Sequence, residues 1–170
     1  MHLLIDGYNL LHVGRSLVRM SATDLQRERD QLIGQLAAYR RTKSCEMTVV
    51  FDGWQGGWIS EKRERRMGME IIFSKLGERA DEVIKRLVKE KGSGVVVITS
   101  DREVARFSEK MSVATIPSAQ FKERLEISPV KAEKHAEDDD KDEEKRSKKK
   151  GPARRLSKKE KRARAALRKL

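Results

Sequence analysis

Four aspartates occupy positions where chemistry is expected. Three of them follow short apolar runs, and the fourth lies at the start of a helical segment. Asp6 follows the run from His2 to Ile5, Asp52 follows Met47 to Phe51, and Asp101 comes shortly after Val95 to Thr99. Asp81 begins the helical segment that leads into that last run. Short runs that are apolar on both faces are typical of buried parallel strands. Because ligands bind at the carboxyl ends of such strands, we expect the four carboxylates at one edge of a sheet.

Carboxylates brought together repel one another and raise one another's pKa, and a divalent cation removes that cost. Mg²⁺ or Mn²⁺ is expected, because both are hard ions that take oxygen ligands. Such an ion can polarise a phosphate and activate a water for in-line attack. We assign Asp6 and Asp101 as direct or water-mediated ligands, and Asp81 as a third ligand or the group that orients the water. Asn9 would hydrogen-bond a metal-bound water or the phosphate, and Asp52 would complete the acidic cluster.

Each of these residues also has a purely structural interpretation. Asp6 could cap the turn that follows it, and Asp81 could favour a helix N-terminus electrostatically. Asp101 could be a turn residue beside a capping serine, and Asp52 before Gly53 is an ordinary turn pair. Other chemistries lack their motifs, because the sequence has no Walker phosphate loop, dinucleotide-binding glycine motif or nucleophile elbow. Three scattered histidines and a single cysteine argue against a zinc enzyme.

Strand and helix patterns alternate about five times along the first 127 residues. Apolar runs predict strands over residues 2–6, 47–52, 69–74, 95–99 and 113–116. Helical spacing predicts helices over 22–42, 79–91, 102–110 and 117–126, with serines 21 and 100 as N-caps. Residues 10–20 and 53–58 are predicted as loops, and residues 61–66 as too charged for a core. This alternation predicts a three-layer α/β/α domain with a central, mostly parallel sheet.

The composition changes after residue 127. Residues 131–170 hold 17 Lys and Arg against 9 Asp and Glu, which supplies most of the formal net charge of +12. An acidic block over 137–144 precedes a basic block over 145–150, a pattern typical of flexible interaction tails. We therefore predict a domain over 1–127 and a charged, flexible tail over 128–170 that binds RNA or a ribosome. A tail that only keeps the chain soluble is the alternative.

The cellular setting follows from composition. One cysteine among 170 residues excludes a disulfide framework and fits a reducing cytoplasm. No apolar run reaches the length of about 20 residues that a membrane span needs, and the N-terminus lacks a signal-peptide pattern. The basic balance favours a polyanionic partner such as RNA, with no membrane partner.

Basic and aromatic residues after the second strand are candidates for RNA binding. Trp54, in a loop that also contains Trp58, could stack a base, although loop tryptophans more often pack against their own domain. The candidates for guiding a phosphate backbone are Arg63, Arg65, Arg66, Lys75 and Arg79. A solvated charged face is the alternative for these five residues.

Four stretches, in order, resemble the YacP-like branch of the NYN domains, which belong to the PIN-type nuclease superfamily. They are Ile5–Leu11, Val49–Gly53, Ala80–Glu82 and Thr99–Asp101. The resemblance implies a PIN-like fold and an Mg²⁺- or Mn²⁺-dependent endoribonuclease that is associated with the ribosome and cuts mRNA. It places the acidic site on Asp6, Asp81 and Asp101, with Asn9 beside them and Asp52 as a further strand-end acid.

Two functions from different classes follow from these observations. The first is a metal-dependent endoribonuclease that cleaves single-stranded RNA, in particular mRNA on the ribosome. The alternative is a noncatalytic RNA- or ribosome-binding adaptor with the same fold. The cluster of carboxylates favours the enzyme, because a protein that only binds RNA has no need of grouped charges that repel phosphates.

Overall fold

The computed structural model describes residues 1–14, 20–53 and 58–127, together with Ala165. Its strands are β1 (His2–Asp6), β2 (Glu46–Phe51), β3 (Lys62–Arg66), β4 (Met69–Phe73), β5 (Val95–Ile98) and β6 (Ala114–Ile116). Its helices are α1 (Gly7–Leu11), α2 (Ala22–Lys43), α3 (Ala80–Lys91), α4 (Arg102–Lys110) and α5 (Ser118–Ile127). The predicted tail, apart from Ala165, lies outside these residues. Among the helices described, none is both long and apolar enough to cross a bilayer.

The six strands form one sheet in the order β3-β4-β2-β1-β5-β6. All neighbouring strands are parallel except β3, which runs antiparallel to β4 at one edge. Leu3 and Ile5 of β1 belong to the core shared with α1, α2 and α5, whereas Leu4 belongs to the core shared with α3 and α4. Because alternate residues point to opposite faces, both faces of β1 are buried. The predicted three-layer α/β fold with a mostly parallel sheet is confirmed.

The helix boundaries follow local chemistry. The Ser21 hydroxyl accepts a hydrogen bond from the Asp24 backbone N–H and begins α2, as the capping pattern predicted. This helix ends at Ser44, which adopts a left-handed conformation. Helix α3 ends at Gly92, whose φ of 56° suits a residue without a side chain.

Two elements differ from the sequence-based prediction. Residues 62–66 form an edge strand, β3, in which every side chain is charged, so no apolar alternation marks it. Charged side chains are common on edge strands because they discourage pairing with other chains. The predicted loop over 10–20 was wrong at its start, because the chain turns into the one-turn helix α1 directly after β1.

Gly53 is required by a close approach of two backbone segments beside the second strand. A Cβ atom added there would lie 1.8 Å from the Ser74 carbonyl oxygen, and backbone cannot move aside as a side chain can. The Gly53 N–H also donates a 3.0 Å hydrogen bond to the Ser74 hydroxyl.

We expect Gly53→Ala to lower the free energy of unfolding by about 3 kcal/mol through overpacking. Gly34→Ala is the matched control, because Gly34 lies within α2 and an added Cβ there meets nothing within 4 Å. That change is expected to stabilise the domain by about 0.8 kcal/mol. Urea unfolding of both variants measures the difference, and equal stabilities would contradict the close approach at Gly53.

Candidate active site

The carboxyl ends of three adjacent strands bring the predicted aspartates to one edge of the sheet. Asp6 is the last residue of β1, Asp52 follows β2, and Asp101 follows the end of β5 after a short connection. Strands β2 and β5 flank β1 on either side. Asp81 joins them from the first turn of α3, whose first N–H, that of Ala80, donates a 2.6 Å hydrogen bond to Asp52 Oδ1.

Asp6 is the most deeply buried of the four, with 5% of its surface exposed. Its Oδ1 accepts a 3.1 Å hydrogen bond from the Asn9 N–H, and its Oδ2 accepts one of 3.1 Å from the Thr99 hydroxyl. Burial raises the pKa of Asp6 to about 7, because these two bonds only partly compensate for lost hydration. The charges of Asp81 and Asp52 raise the pKa of Asp6 further.

Asp81 lies in the first turn of α3, where its carboxylate is 13% exposed. Burial raises the pKa of Asp81, and the charges of Asp101 and Asp52 act in the same direction. The Arg79 guanidinium opposes this shift through a 2.9 Å ion pair with Asp81 Oδ2. Arg79 was predicted to guide RNA, and here it supplies positive charge directly beside the carboxylates.

Asp101 is the N-cap of α4, and this corrects the prediction that Ser100 caps that helix. Asp101 Oδ1 accepts hydrogen bonds of 2.8 and 2.9 Å from the N–H groups of Glu103 and Val104. The Ser100 hydroxyl instead accepts a bond from the Ser118 N–H, at 3.1 Å. Sequence reasoning could not separate the two candidates, because serine and aspartate both serve as N-caps.

Thr99 connects two of the predicted site residues, and the sequence analysis gave it no role. Its buried hydroxyl donates to Asp6 Oδ2 and accepts a 3.1 Å hydrogen bond from the Asp101 N–H. One side chain therefore fixes both the Asp6 carboxylate and the backbone that carries Asp101. The available signal was its position at the end of a buried strand, shortly before Asp101.

Asn9 holds three parts of the domain together beside the acids. Its Oδ1 accepts 2.8 Å hydrogen bonds from the Ser100 N–H and from the hydroxyl of the buried Ser118. These bonds join α1 to the segment before α4 and to the first turn of α5. The carboxamide oxygen is thus engaged within the protein, which gives Asn9 a positioning role in addition to the contact with water or phosphate predicted from sequence.

The donor chemistry at this edge fits a hard divalent cation. All four groups offer carboxylate oxygens. Burial, and to a smaller extent the charges of acidic neighbours, raises the pKa values of Asp6 and Asp81, and a bound cation would favour their ionised forms. Within the described part of the chain, no three His, Cys, Asp or Glu side chains are grouped closely enough to hold a metal ion. In that part of the chain the acids thus share one edge of the sheet without forming a closed set of three ligands, and Arg79 is the counter-charge at Asp81.

The predicted RNA-binding residues are divided between different surfaces. Arg63 forms ion pairs with Glu61 at 2.7 Å and Glu70 at 3.4 Å, whereas Arg66 pairs with Asp30 at 2.8 Å. Arg63 and Arg65 project from the face of β3 opposite to Arg66, because alternate residues of a strand point in opposite directions. Lys75 is exposed in the loop after β4, and Trp54 lies outside the described residues.

Comparisons with known proteins agree with this architecture. A curated relative, the "Uncharacterized protein YacP" of Bacillus subtilis (strain 168), is 34% identical over 87 residues. That alignment covers 51% of this chain and 51% of the relative, so the chain spans about half the length of the curated relative it matches.

Two solved structures are also similar, and both are crystal structures of Rae1 (YacP) from Bacillus subtilis. The first shares 27% sequence identity with this chain and superposes with a TM-score of 0.62. The alignment covers 79% of this chain and 78% of the Rae1 chain. The second, a tryptophan-to-leucine mutant of the same protein, has 25% identity and a TM-score of 0.63, with 78% of this chain and 79% of that one covered.

The family model described as the YacP-like NYN domain matches residues 3–169. The match includes all four aspartates, and it extends through the segment that was predicted to be a separate tail. NYN domains are nuclease-like. The strand-end acids, the sheet that carries them and the extent of this match together show that the chain belongs to the YacP-like NYN domain family.

Proposed function

We propose that this protein is a divalent-metal-dependent endoribonuclease that cleaves single-stranded RNA. The observation that carries the proposal is the convergence of Asp6, Asp52, Asp81 and Asp101 at the carboxyl edge of the sheet in a nuclease-like domain. A domain that only bound RNA would lose affinity by placing these acids together, because they repel phosphates. An enzyme that cleaves RNA would use these acids to bind a cation, so cleavage explains why they share one edge of the sheet.

The residues that would hold Mg²⁺ or Mn²⁺ are Asp6, Asp81 and Asp101, with Asp52 at the rim. Because no three of these side chains are grouped closely enough among the described residues to surround the ion directly, some of them would bind it through water, as Mg²⁺ commonly allows. A bound cation would supply charge neutralisation and Lewis acidity at the scissile phosphate. The protein's own contribution is to fix these donors: Thr99 and the Asn9 N–H orient Asp6, and two N–H groups of α4 orient Asp101. Such fixed orientation lowers the reorganisation required during reaction.

Asp81 and Arg79 have distinct tasks in this proposal. Asp81 would be either the third ligand of the ion or, where it does not bind the ion, the carboxylate that orients the attacking water. Burial raises the pKa of Asp81 when no ion is bound, which suits the second role. Arg79 is 75% exposed, so its guanidinium can turn from Asp81 to a substrate phosphate at little cost. The ion pair thus places a phosphate-binding group next to the acids.

The substrate that we propose is mRNA presented by the ribosome in the cytoplasm. The support is the net charge of +12, most of it in residues 131–170, which suits a partner rich in phosphates. Residues 128–170 would dock on ribosomal RNA and bring the domain close to the message.

A noncatalytic adaptor is the second candidate, and two observations favour it. No complete set of three metal-binding side chains is formed among the described residues, and Asp81 is already paired with Arg79. An adaptor would use the same domain as a rigid platform and would bind RNA through basic residues alone.

Removal of the divalent ion separates the two candidates. We expect the purified full chain to cleave an unstructured RNA of mixed sequence with Mg²⁺ or Mn²⁺, and to lose that activity completely in EDTA. Excess cation should restore it. RNA binding should persist in EDTA and weaken steeply with salt, because phosphate contacts dominate it. If neither free RNA nor mRNA on translating ribosomes is cut with the cation present, the adaptor replaces the enzyme.

A further inference from the structure

A cavity of about 510 Å³ lies beside the acidic edge, between α2 and the face of β3 and β4 that points toward α2. Six of its lining residues are Gln26, Arg29, Trp58, Lys62, Arg66 and Phe73. Asp52 lines it as well, so the cavity reaches the acidic edge of the sheet at that residue. We call this cavity the α2–β3 groove.

The groove combines cations with aromatic rings. The Lys62 ammonium lies 4.5 Å from the centroid of the Trp58 ring, and the Arg29 guanidinium lies 5.6 Å from that of Phe73. Trp58 is 39% exposed, which leaves part of its ring open to solvent. Aromatic rings beside basic side chains are the pattern of single-strand binding surfaces, where bases stack and phosphates are neutralised.

The positive groups of the groove are arranged along the strand. Lys62, Glu64 and Arg66 share one face of β3, and Lys62 and Arg66 are four residues apart, about 13 Å along an extended chain. Lys62 pairs with Glu64 at 3.3 Å and Arg66 with Asp30 at 2.8 Å. Both pairs are partly exposed, and such pairs contribute little stability, so a phosphate can replace the carboxylate partner.

Arg29 holds one donor that has no partner among the described residues. Its Nη1 donates a 3.1 Å hydrogen bond to the Tyr8 hydroxyl, but its buried Nε makes no hydrogen bond within this part of the chain. A buried donor without an acceptor is costly. Because this atom is fully buried, a ligand oxygen in the groove would reach it only after the Arg29 side chain moves.

We infer that the α2–β3 groove binds the single-stranded RNA segment next to the cleaved bond, with a base against Trp58 and phosphates at Lys62 and Arg66. This inference rests on the proposed endoribonuclease, since it gives the path by which the strand reaches Asp52 and the other acids. It departs from the sequence-based assignment of Arg63 and Arg65, which lie on the opposite face of the same strand.

The test is direct RNA binding by the full chain in EDTA, so that no cleavage is needed. The probe is a fluorescein-labelled RNA of about ten unstructured nucleotides, followed by anisotropy at several salt concentrations. We expect the double variant Lys62→Ala/Arg66→Ala to raise Kd about tenfold, and to reduce the slope of log K against log salt by about 1.4, for two lost phosphate contacts. Arg63→Ala/Arg65→Ala removes the same charge from the other face and should change Kd less than twofold.

Tryptophan fluorescence gives a second readout, which reports on Trp58 directly. The protein contains two tryptophans, so Trp54→Phe leaves Trp58 as the only one. RNA should quench its emission in the Trp54→Phe variant, and Lys62→Ala/Arg66→Ala should weaken the quenching in parallel with the anisotropy.

The outcomes separate the groove from the proposed function. A larger loss of affinity from Arg63→Ala/Arg65→Ala, an equal loss from both pairs, or absence of quenching at Trp58 would overturn the groove, whether or not the protein cleaves RNA. Groove-dependent binding by a protein that cuts no RNA would support the groove and overturn the endoribonuclease.

Discussion

Asp6→Asn is expected to lower metal-dependent RNA cleavage by more than about a hundredfold, since even loss of an outer partner of a metal site costs ten- to a hundredfold. The reason lies in its position. Asp6 ends the strand that β2 and β5 flank, and both of its oxygens are oriented by hydrogen bonds. Asparagine has nearly the same shape but no charge, so the variant removes the charge that would hold a cation.

The Asp6→Asn variant should keep its affinity for RNA although it loses cleavage. Removing a negative charge near the phosphates lowers repulsion, so Kd for RNA in EDTA should stay unchanged or fall. Glu126→Gln is the matched control, because it removes one carboxylate from an exposed position of α5 and should retain full cleavage. Rates on unstructured RNA and on translating ribosomes measure the effect, and wild-type cleavage by Asp6→Asn would exclude the site proposed here.

The sequence predicted the buried strands and the longer helices because apolar runs and helical spacing report burial directly. It also placed Asp6, Asp52 and Asp101 correctly at strand ends, since that follows from where each run stops. It missed β3 because strands are recognised by the pattern of their apolar residues, and β3 consists only of charged residues.

The contacts within the site could not be predicted in the same way. Asn9 accepts a hydrogen bond from Ser118, and Thr99 donates one to Asp6, across separations of 109 and 93 residues. Local pattern carries no information about such pairs, because they depend on how α1, α4 and α5 pack. The division of the arginines between the two faces of β3 likewise became visible only once the strand and its register were known.

The second large effect concerns stability, because Asp6 is a buried carboxyl with a pKa of about 7 in the folded domain, against an ordinary value of 3.8. A raised pKa means that folding favours the protonated form. The stabilising contribution is fully present below the unfolded pKa and is lost as the pH rises through the folded pKa. The difference of about three pKa units corresponds to about 4 kcal/mol at 1.36 kcal/mol per unit.

We therefore expect Asp6→Asn to gain stability relative to wild type by about 4 kcal/mol as the pH rises from 4 to 8, a large share of the 5–15 kcal/mol that stabilises a typical domain. Urea unfolding of both proteins in EDTA at each pH measures this difference, and comparing the two cancels titrations that they share. Glu126→Gln again serves as the control, because an exposed carboxylate keeps its hydration on folding. A difference that stays constant over this range would show that the Asp6 carboxyl is not held in a desolvated site. If the difference rises with pH, the ionised Asp6 carboxylate destabilises the folded domain. Such destabilisation is expected of a buried acid whose charge a bound cation would compensate.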